Sequence, residues 1–182
     1  YPISGHADGV YNPYPQSSTT AIWELKTKTG FGFREAVNSG HPERHEVAQA
    51  AMYGLAVSNC QYVHLVYLAK YTTYGRNAVK AGQTVEWFLD MDEPVPGCDG
   101  MTPRQIGTAE ATRIGAIMHE TFEDRMLPER FIPDYGIVEM VPYPDSKDQP
   151  WRCRYCQFNA LCATLPTGQI RLDDILLRTK GD

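Results

Sequence analysis

The sequence predicts an α/β (α+β) chain, a sheet of short strands with helices packed against it. Short runs of β-branched and aromatic residues alternate with two longer stretches whose apolar residues repeat at helical spacing. Prolines and glycines gather between these segments rather than inside them. At 182 residues and 42% hydrophobic content, the chain is large enough to bury one core and too apolar to be disordered.

The elements follow in order. Residues 3–11 read as a first strand, and Asn12-Pro13-Tyr14-Pro15 as turn chemistry. Residues 21–27 form a second strand, with Trp23 and Leu25 on one face and Ile22, Glu24 and Lys26 on the other. The connection is short, so the two strands are expected to pair antiparallel. Gly30 and Gly32 interrupt the pattern. A helix is expected after His41, with Pro42 at its first position, where a missing N–H does no harm. Its apolar stripe is Val47, Ala51 and Leu55, widened by Ala48, Met52 and Ala56. Residues 62–71 and 85–91 read as strands, with Gly82 in the turn between them and a loop over 94–100. Thr102 begins a long helix: Pro103 suits its first position, Gln105 completes a capping box, and Pro128 ends it. Ile106, Ile114, Ile117, Met118 and Phe122 form its periodic face. Residues 133–150 are expected to be loop with one short strand near 137–141, and a mixed-charge tail follows Pro166.

Acids outnumber bases, 22 to 17, for a formal charge of −5. That excludes a protein that holds nucleic acid by bulk positive charge, but not one with local basic patches and metal-binding acids. No apolar run is long enough to span a membrane. The chain opens at Tyr1 without a signal-peptide pattern, and the strand-like start implies that it begins inside a domain or after processing. Five cysteines cannot all pair with one another, and three of them crowd together near the C-terminus.

Three constellations carry possible chemistry. The first is Asp8 with Glu24 and Lys26. Glu24 and Lys26 leave the same face of one strand, and a hairpin would bring Asp8 to them. Two carboxylates suit a hard divalent cation such as Mg²⁺, which polarises a phosphodiester and acidifies a bound water. A lysine beside the cation can orient or deprotonate that water or neutralise charge on phosphorus. An E-x-K tripeptide is also the ordinary form of a charge pair on a solvated strand. The second is Gln49 and Tyr53, four apart on the helix after Pro42, with His45 one turn earlier on the same stripe. They suit a phosphate or a base edge, or else merely flank an apolar stripe. The third is Cys153-x-x-Cys156-x5-Cys162. Thiolates so spaced suit Zn²⁺ or an iron–sulfur cluster, with plain buried or redox thiols as the alternative. A fourth ligand would come from Cys60, Cys98, a histidine or a residue preceding Tyr1. Trp151 and Phe158 would shield that site.

Taken in order, Gly5-x-x-Asp8, Glu24-x-Lys26, Gln49-x-x-x-Tyr53 and the cysteine run resemble the RecB-like branch of the PD-(D/E)XK nuclease superfamily. The likeness is to its iron–sulfur nucleases: CRISPR-adaptation exonucleases, phage relatives and AddAB-type nuclease domains. The resemblance implies a restriction-endonuclease-like mixed sheet flanked by helices, over residues 1–150. A cysteine-cluster segment, residues 151–182, would pack on that core. It implies that Asp8, Glu24 and the Leu25 carbonyl ligate Mg²⁺ or Mn²⁺ and that Lys26 is the catalytic lysine. Gln49 and Tyr53 would lie beside the active site and DNA, and Cys153, Cys156 and Cys162 would ligate a 4Fe-4S cluster. The family's upstream metal-binding histidine and first cluster cysteine have no counterpart before Asp8; His6 is the nearest substitute.

The expected function is a metal-dependent DNA exonuclease acting on single-stranded ends, leaving 5′-phosphate and 3′-hydroxyl groups. Lys28, Arg34, Lys70, Arg76, Arg152 and Arg154 are candidates for a phosphate path, or ordinary surface charges. The setting implied is the cytoplasm of a bacterial, archaeal or phage-infected cell, with a helicase or integrase as possible partner and no membrane. Two alternatives stand: a non-catalytic nuclease-fold subunit of a larger complex, and a small zinc-stabilised binding domain.

Overall fold

The computed structural model describes residues 5–75 and 78–126. It shows a mixed α/β fold around a four-stranded sheet of order β1-β2-β3-β4. The strands are β1 (Gly9–Tyr11), β2 (Thr20–Lys28), β3 (Cys60–Ala69) and β4 (Thr84–Asp90). The helices are α1 (Gly30–Ser39), α2 (Arg44–Ala56) and α3 (Pro103–Phe122). β1 and β2 form the expected antiparallel hairpin, β2 and β3 run parallel, and β3 and β4 are antiparallel. Parallel neighbours need a crossover, and α1 with α2 supply it. One compact unit ends at Gly115 and holds the sheet, α1, α2 and the start of α3. A second unit begins at Ala116.

The period-two alternation of β2 sets the layers. Ile22, Glu24, Lys26 and Lys28 share the face toward α2. Ile22 packs with Val47, Ala50 and Ala51 of α2 and with Val63 and Leu65 of β3. A second cluster lies under α1, where Phe33 and Ala36 meet Tyr67, Ala69 and Val79. On the opposite sheet face, Tyr62 stacks on Phe88 with ring centroids 4.7 Å apart. On the same face, His64 bridges Tyr11 and Glu86. Among the described residues no helix is long and apolar enough to cross a membrane.

Several sequence expectations need correction. β1 is far shorter than 3–11: residues 5–8 are not strand, and the ladder begins at Gly9↔Trp23. Beyond that pair the Asp8 side chain, not a strand backbone, takes the Leu25 amide. Gly30 and Gly32 do not merely interrupt; they lie in α1. Thr29 caps that helix, its hydroxyl accepting from the Gly32 amide at 3.2 Å. Gly30 is required there, because a Cβ would run into the Thr73 methyl. α2 begins at Arg44 with Glu43 at its cap, so Pro42 precedes the helix instead of opening it. Leu55 does not belong to the buried stripe, being 39% exposed. Ala56 is exposed as well, whereas Val47, Ala48 and Ala51 are buried as expected, joined by Ala50 and Gly54. These small residues wrap more than one face because α3 also packs closely: a Cβ on Gly107 would lie 2.9 Å from that of Ala51.

β3 starts two residues before the expected 62 and stops two before 71. Gly82 sits in its turn with φ of 86°. The capping box of α3 is reciprocal: the Thr102 amide donates to Gln105 Oε1 at 2.9 Å, and the Gln105 amide to Thr102 Oγ1 at 3.2 Å. α3 ends at Phe122, ahead of Pro128. Pro128, the expected strand at 137–141, the tail and Cys153, Cys156 and Cys162 lie outside the described residues.

Candidate active site

The first two constellations meet at one place, between the α2-facing side of β2 and the middle of α2. Because β2 alternates, Glu24 and Lys26 project from the same face. Glu24 is almost fully buried, and its Oε1 accepts from Lys26 Nζ at 2.6 Å. Lys26 Nζ also donates to Gln49 Oε1 at 2.7 Å, and Gln49 Nε2 donates to the Tyr53 hydroxyl at 3.0 Å. This chain fixes the amide orientation of Gln49. An ammonium has only protons to offer, so it must meet the amide oxygen, which leaves the NH₂ for Tyr53. Two of the three Lys26 protons are thereby directed, and the third has no acceptor among the described residues.

Asp8 arrives from the other side. Its Oδ2 accepts from the Leu25 amide at 2.8 Å, and its own amide lies 3.5 Å from Glu24 Oε2. In an extended strand, a residue's N–H and C=O leave toward the same edge. The Leu25 carbonyl therefore faces the edge that Asp8 occupies. Gly5 has a steric reason in the same place: a Cβ there would lie 2.6 Å from Tyr53 Cε1. The Gly5-x-x-Asp8 segment can lie against Tyr53 because that Cβ is missing.

Asp8, Glu24, Leu25, Lys26, Gln49 and Tyr53 are thus brought together, linked by the hydrogen bonds above. His45 is not among them: its side chain is 71% exposed and lies 3.5 Å from Glu43 Oε2. His6 is exposed. The donor set suits a hard divalent cation. Asp8 commits one oxygen to a short hydrogen bond, and Glu24 gives one oxygen to Lys26 and only a long 3.5 Å contact from the Asp8 amide to the other.

A second polar cluster, not anticipated from the sequence, lies one helical turn away. Lys28 is not a free phosphate contact. Its Nζ donates to Glu43 Oε1 at 2.6 Å and Glu46 Oε1 at 2.8 Å, and sits 4.5 Å from the Tyr67 ring centroid. Burial alone would pull the Lys28 ammonium down, but its hydrogen bonds to the two glutamates outweigh that and hold it above 10.5. Burial and then Glu46 push the Tyr67 phenol up, and its hydroxyl accepts from the Glu43 amide at 2.9 Å. The available signal was positional: Lys28 continues the Glu24–Lys26 face, and Glu43 and Glu46 stand on the facing helical turn. Cys60 and Cys98, candidates for a fourth cluster ligand, are buried in the α2 core with their thiols pushed up by burial. They pack as small apolar residues.

No protein-family model, curated protein or solved structure matches the chain.

Proposed function

We propose that the chain is a metal-dependent deoxyribonuclease of the RecB-like PD-(D/E)XK type, acting as an exonuclease on single-stranded DNA ends. One observation carries the reading: a lysine ammonium held between a buried carboxylate and a helix-borne glutamine, with Asp8 bound to the next backbone amide of the same strand. A solvated E-x-K pair would need neither the burial of Glu24 nor the Gln49–Tyr53 chain.

Asp8, Glu24 and the Leu25 carbonyl would hold Mg²⁺ or Mn²⁺. When bound, the ion supplies Lewis acidity to the phosphodiester and lowers the pKa of water. The residues do the positioning. Glu24 and Gln49 fix Lys26 so that its remaining N–H can orient a water or meet a phosphate oxygen. Tyr53 holds Gln49 in the one amide orientation that serves Lys26. The Asp8–Leu25 bond keeps the Asp8 carboxylate, just ahead of the short β1, beside β2.

The iron–sulfur part of the reading rests on the spacing of Cys153, Cys156 and Cys162 alone. A cluster there would tie the C-terminal segment, 151–182, to a restriction-endonuclease-like core. A cytoplasmic setting and a helicase or integrase partner follow from the same family likeness.

The test uses the full chain purified without oxygen and an end-labelled single strand. Degradation in Mg²⁺ or Mn²⁺, abolished by EDTA and restored by metal, is the expected result. A chain that binds the strand in metal but leaves it intact is instead a non-catalytic subunit.

A further inference from the structure

The sheet face opposite α2 carries aromatic rings where a solvated face would carry small polar and charged residues. Along β4, Glu86, Phe88 and Asp90 alternate onto that face, across from Val66, His64 and Tyr62 of β3. Tyr62 stacks on Phe88, and Tyr14 meets Tyr62 edge-on with ring centroids 5.7 Å apart. The rings are open to a partner: Tyr14 is 50% exposed and Phe88 45%. The charge on this face has one sign. Lys26 and Lys28 are the only lysine or arginine residues of the four strands, and both project toward α2. Tyr11 can donate its hydroxyl to His64 Nδ1 while the Nε2 proton goes to Glu86, each at 3.0 Å. A neutral imidazole satisfies both bonds, so the exposed Glu86 keeps its full charge. Asp90 Oδ1 accepts only from neutral groups, the Gln61 amide and the Asp92 backbone N–H.

We propose that this face docks an arginine-bearing segment of a partner protein, with guanidinium groups against Phe88 and Tyr14 and paired with Glu86 and Asp90. Arginine answers both halves of the pattern. Its guanidinium is planar and weakly hydrated, so it stacks on aromatic rings, and its N–H groups pair with carboxylates. Single-stranded nucleic acid also stacks on such rings, but it needs cations beside them for its phosphates. Here carboxylates flank the rings on β4 and would repel each phosphate. Charge complementarity therefore selects a basic protein segment over a polyanion.

This surface lies on the other side of the sheet from Lys26, and the inference does not depend on nuclease activity. Fluorescence anisotropy of a labelled alternating Arg-Gly peptide, titrated with the full chain in EDTA, reads the contact. The same peptide with citrulline for arginine keeps the shape and loses the charge, and it should bind at least about tenfold more weakly. Phe88→Leu leaves the net charge and an apolar cover in place and removes only the ring. It should weaken arginine-peptide binding about two- to fivefold. Glu86→Gln/Asp90→Asn should weaken it about five- to tenfold. The exposure of Phe88 and Glu86 keeps these substitutions from threatening the fold, and far-ultraviolet circular dichroism checks that it is intact. Equal binding of the two peptides, or an unchanged arginine-peptide affinity in Phe88→Leu, overturns the proposal. So does a Phe88→Leu variant that loses affinity for oligothymidylate and not for the peptide, which would make the face a nucleic-acid platform.

Discussion

Replacing Lys28 with methionine should be among the most destabilising single changes on the α2-facing side of the sheet. The side chain is 13% exposed and its partner Glu46 9%. Removing the ammonium strands a buried carboxylate that already has one oxygen without a donor among the described residues. Breaking a buried pair from one side costs about 3–5 kcal/mol. The bond to Glu43 adds little, since that side chain is 45% exposed and such pairs contribute about 0.2–1 kcal/mol. A loss of about 3–4 kcal/mol is therefore expected in urea unfolding. Tryptophan fluorescence is a suitable probe, because Trp87 packs edge-on against Tyr67 at 4.7 Å. The double variant Lys28→Met/Glu46→Gln should recover much of the loss, because the stranded charge is then gone. Additivity of the two substitutions within about 0.5 kcal/mol would refute the pairing, as would a cost below about 1 kcal/mol for Lys28→Met alone. The pH dependence has a definite sign. Lys28 is held above 10.5, so its contribution is complete below 10.5 and is lost only as pH rises through the folded value.

Other outcomes follow from particular contacts. Gly30→Ala should cost about 1–3 kcal/mol by overpacking against the Thr73 methyl. Thr73→Ser should rescue it in thermal melts, because the hydroxyl that accepts from the Val79 amide at 2.9 Å is retained. Arg104 and then Gln61 hold the Asp92 carboxylate down to about 2, against an ordinary 3.8. Its stabilisation is present above 3.8 and lost as pH falls through about 2. Asp92→Asn should therefore flatten the acid limb of a stability-against-pH curve over that interval, and an unchanged limb would dismiss the Arg104 pairing.

What the sequence revealed depended on how local the physics was. The alternation of β2 is a backbone property, so the common face of Glu24 and Lys26 is legible in the residue order itself. The same holds for the i, i+4 pairing of Gln49 with Tyr53 and for the Thr102–Gln105 capping box. α1 is hidden because two glycines in its first turn depress helix propensity. Gly30 is there to admit Thr73, a contact with a residue distant in sequence. β1 reads too long because residues 5–8 resemble strand, while the Asp8 side chain replaces backbone pairing. The apolar stripe of α2 suits a helix packed on one side, but α3 also presses on it at Gly107. Lys28 looks like a phosphate contact by charge alone; only tertiary packing shows Glu43 and Glu46 closing on it. The cysteine run remains a statement of spacing.

The most direct test of the site is hydrolysis of an end-labelled single strand in Mn²⁺ under single-turnover conditions, comparing wild type with Lys26→Met. Methionine approximates the aliphatic length of the lysine and removes only its charge and donors. If Lys26 works beside Asp8 and Glu24 on the phosphodiester, the rate should fall by about 10²–10⁴ while strand binding stays nearly constant. Equal cleavage rates for the two proteins would contradict the assignment of Asp8, Glu24, Lys26, Gln49 and Tyr53 as one catalytic centre.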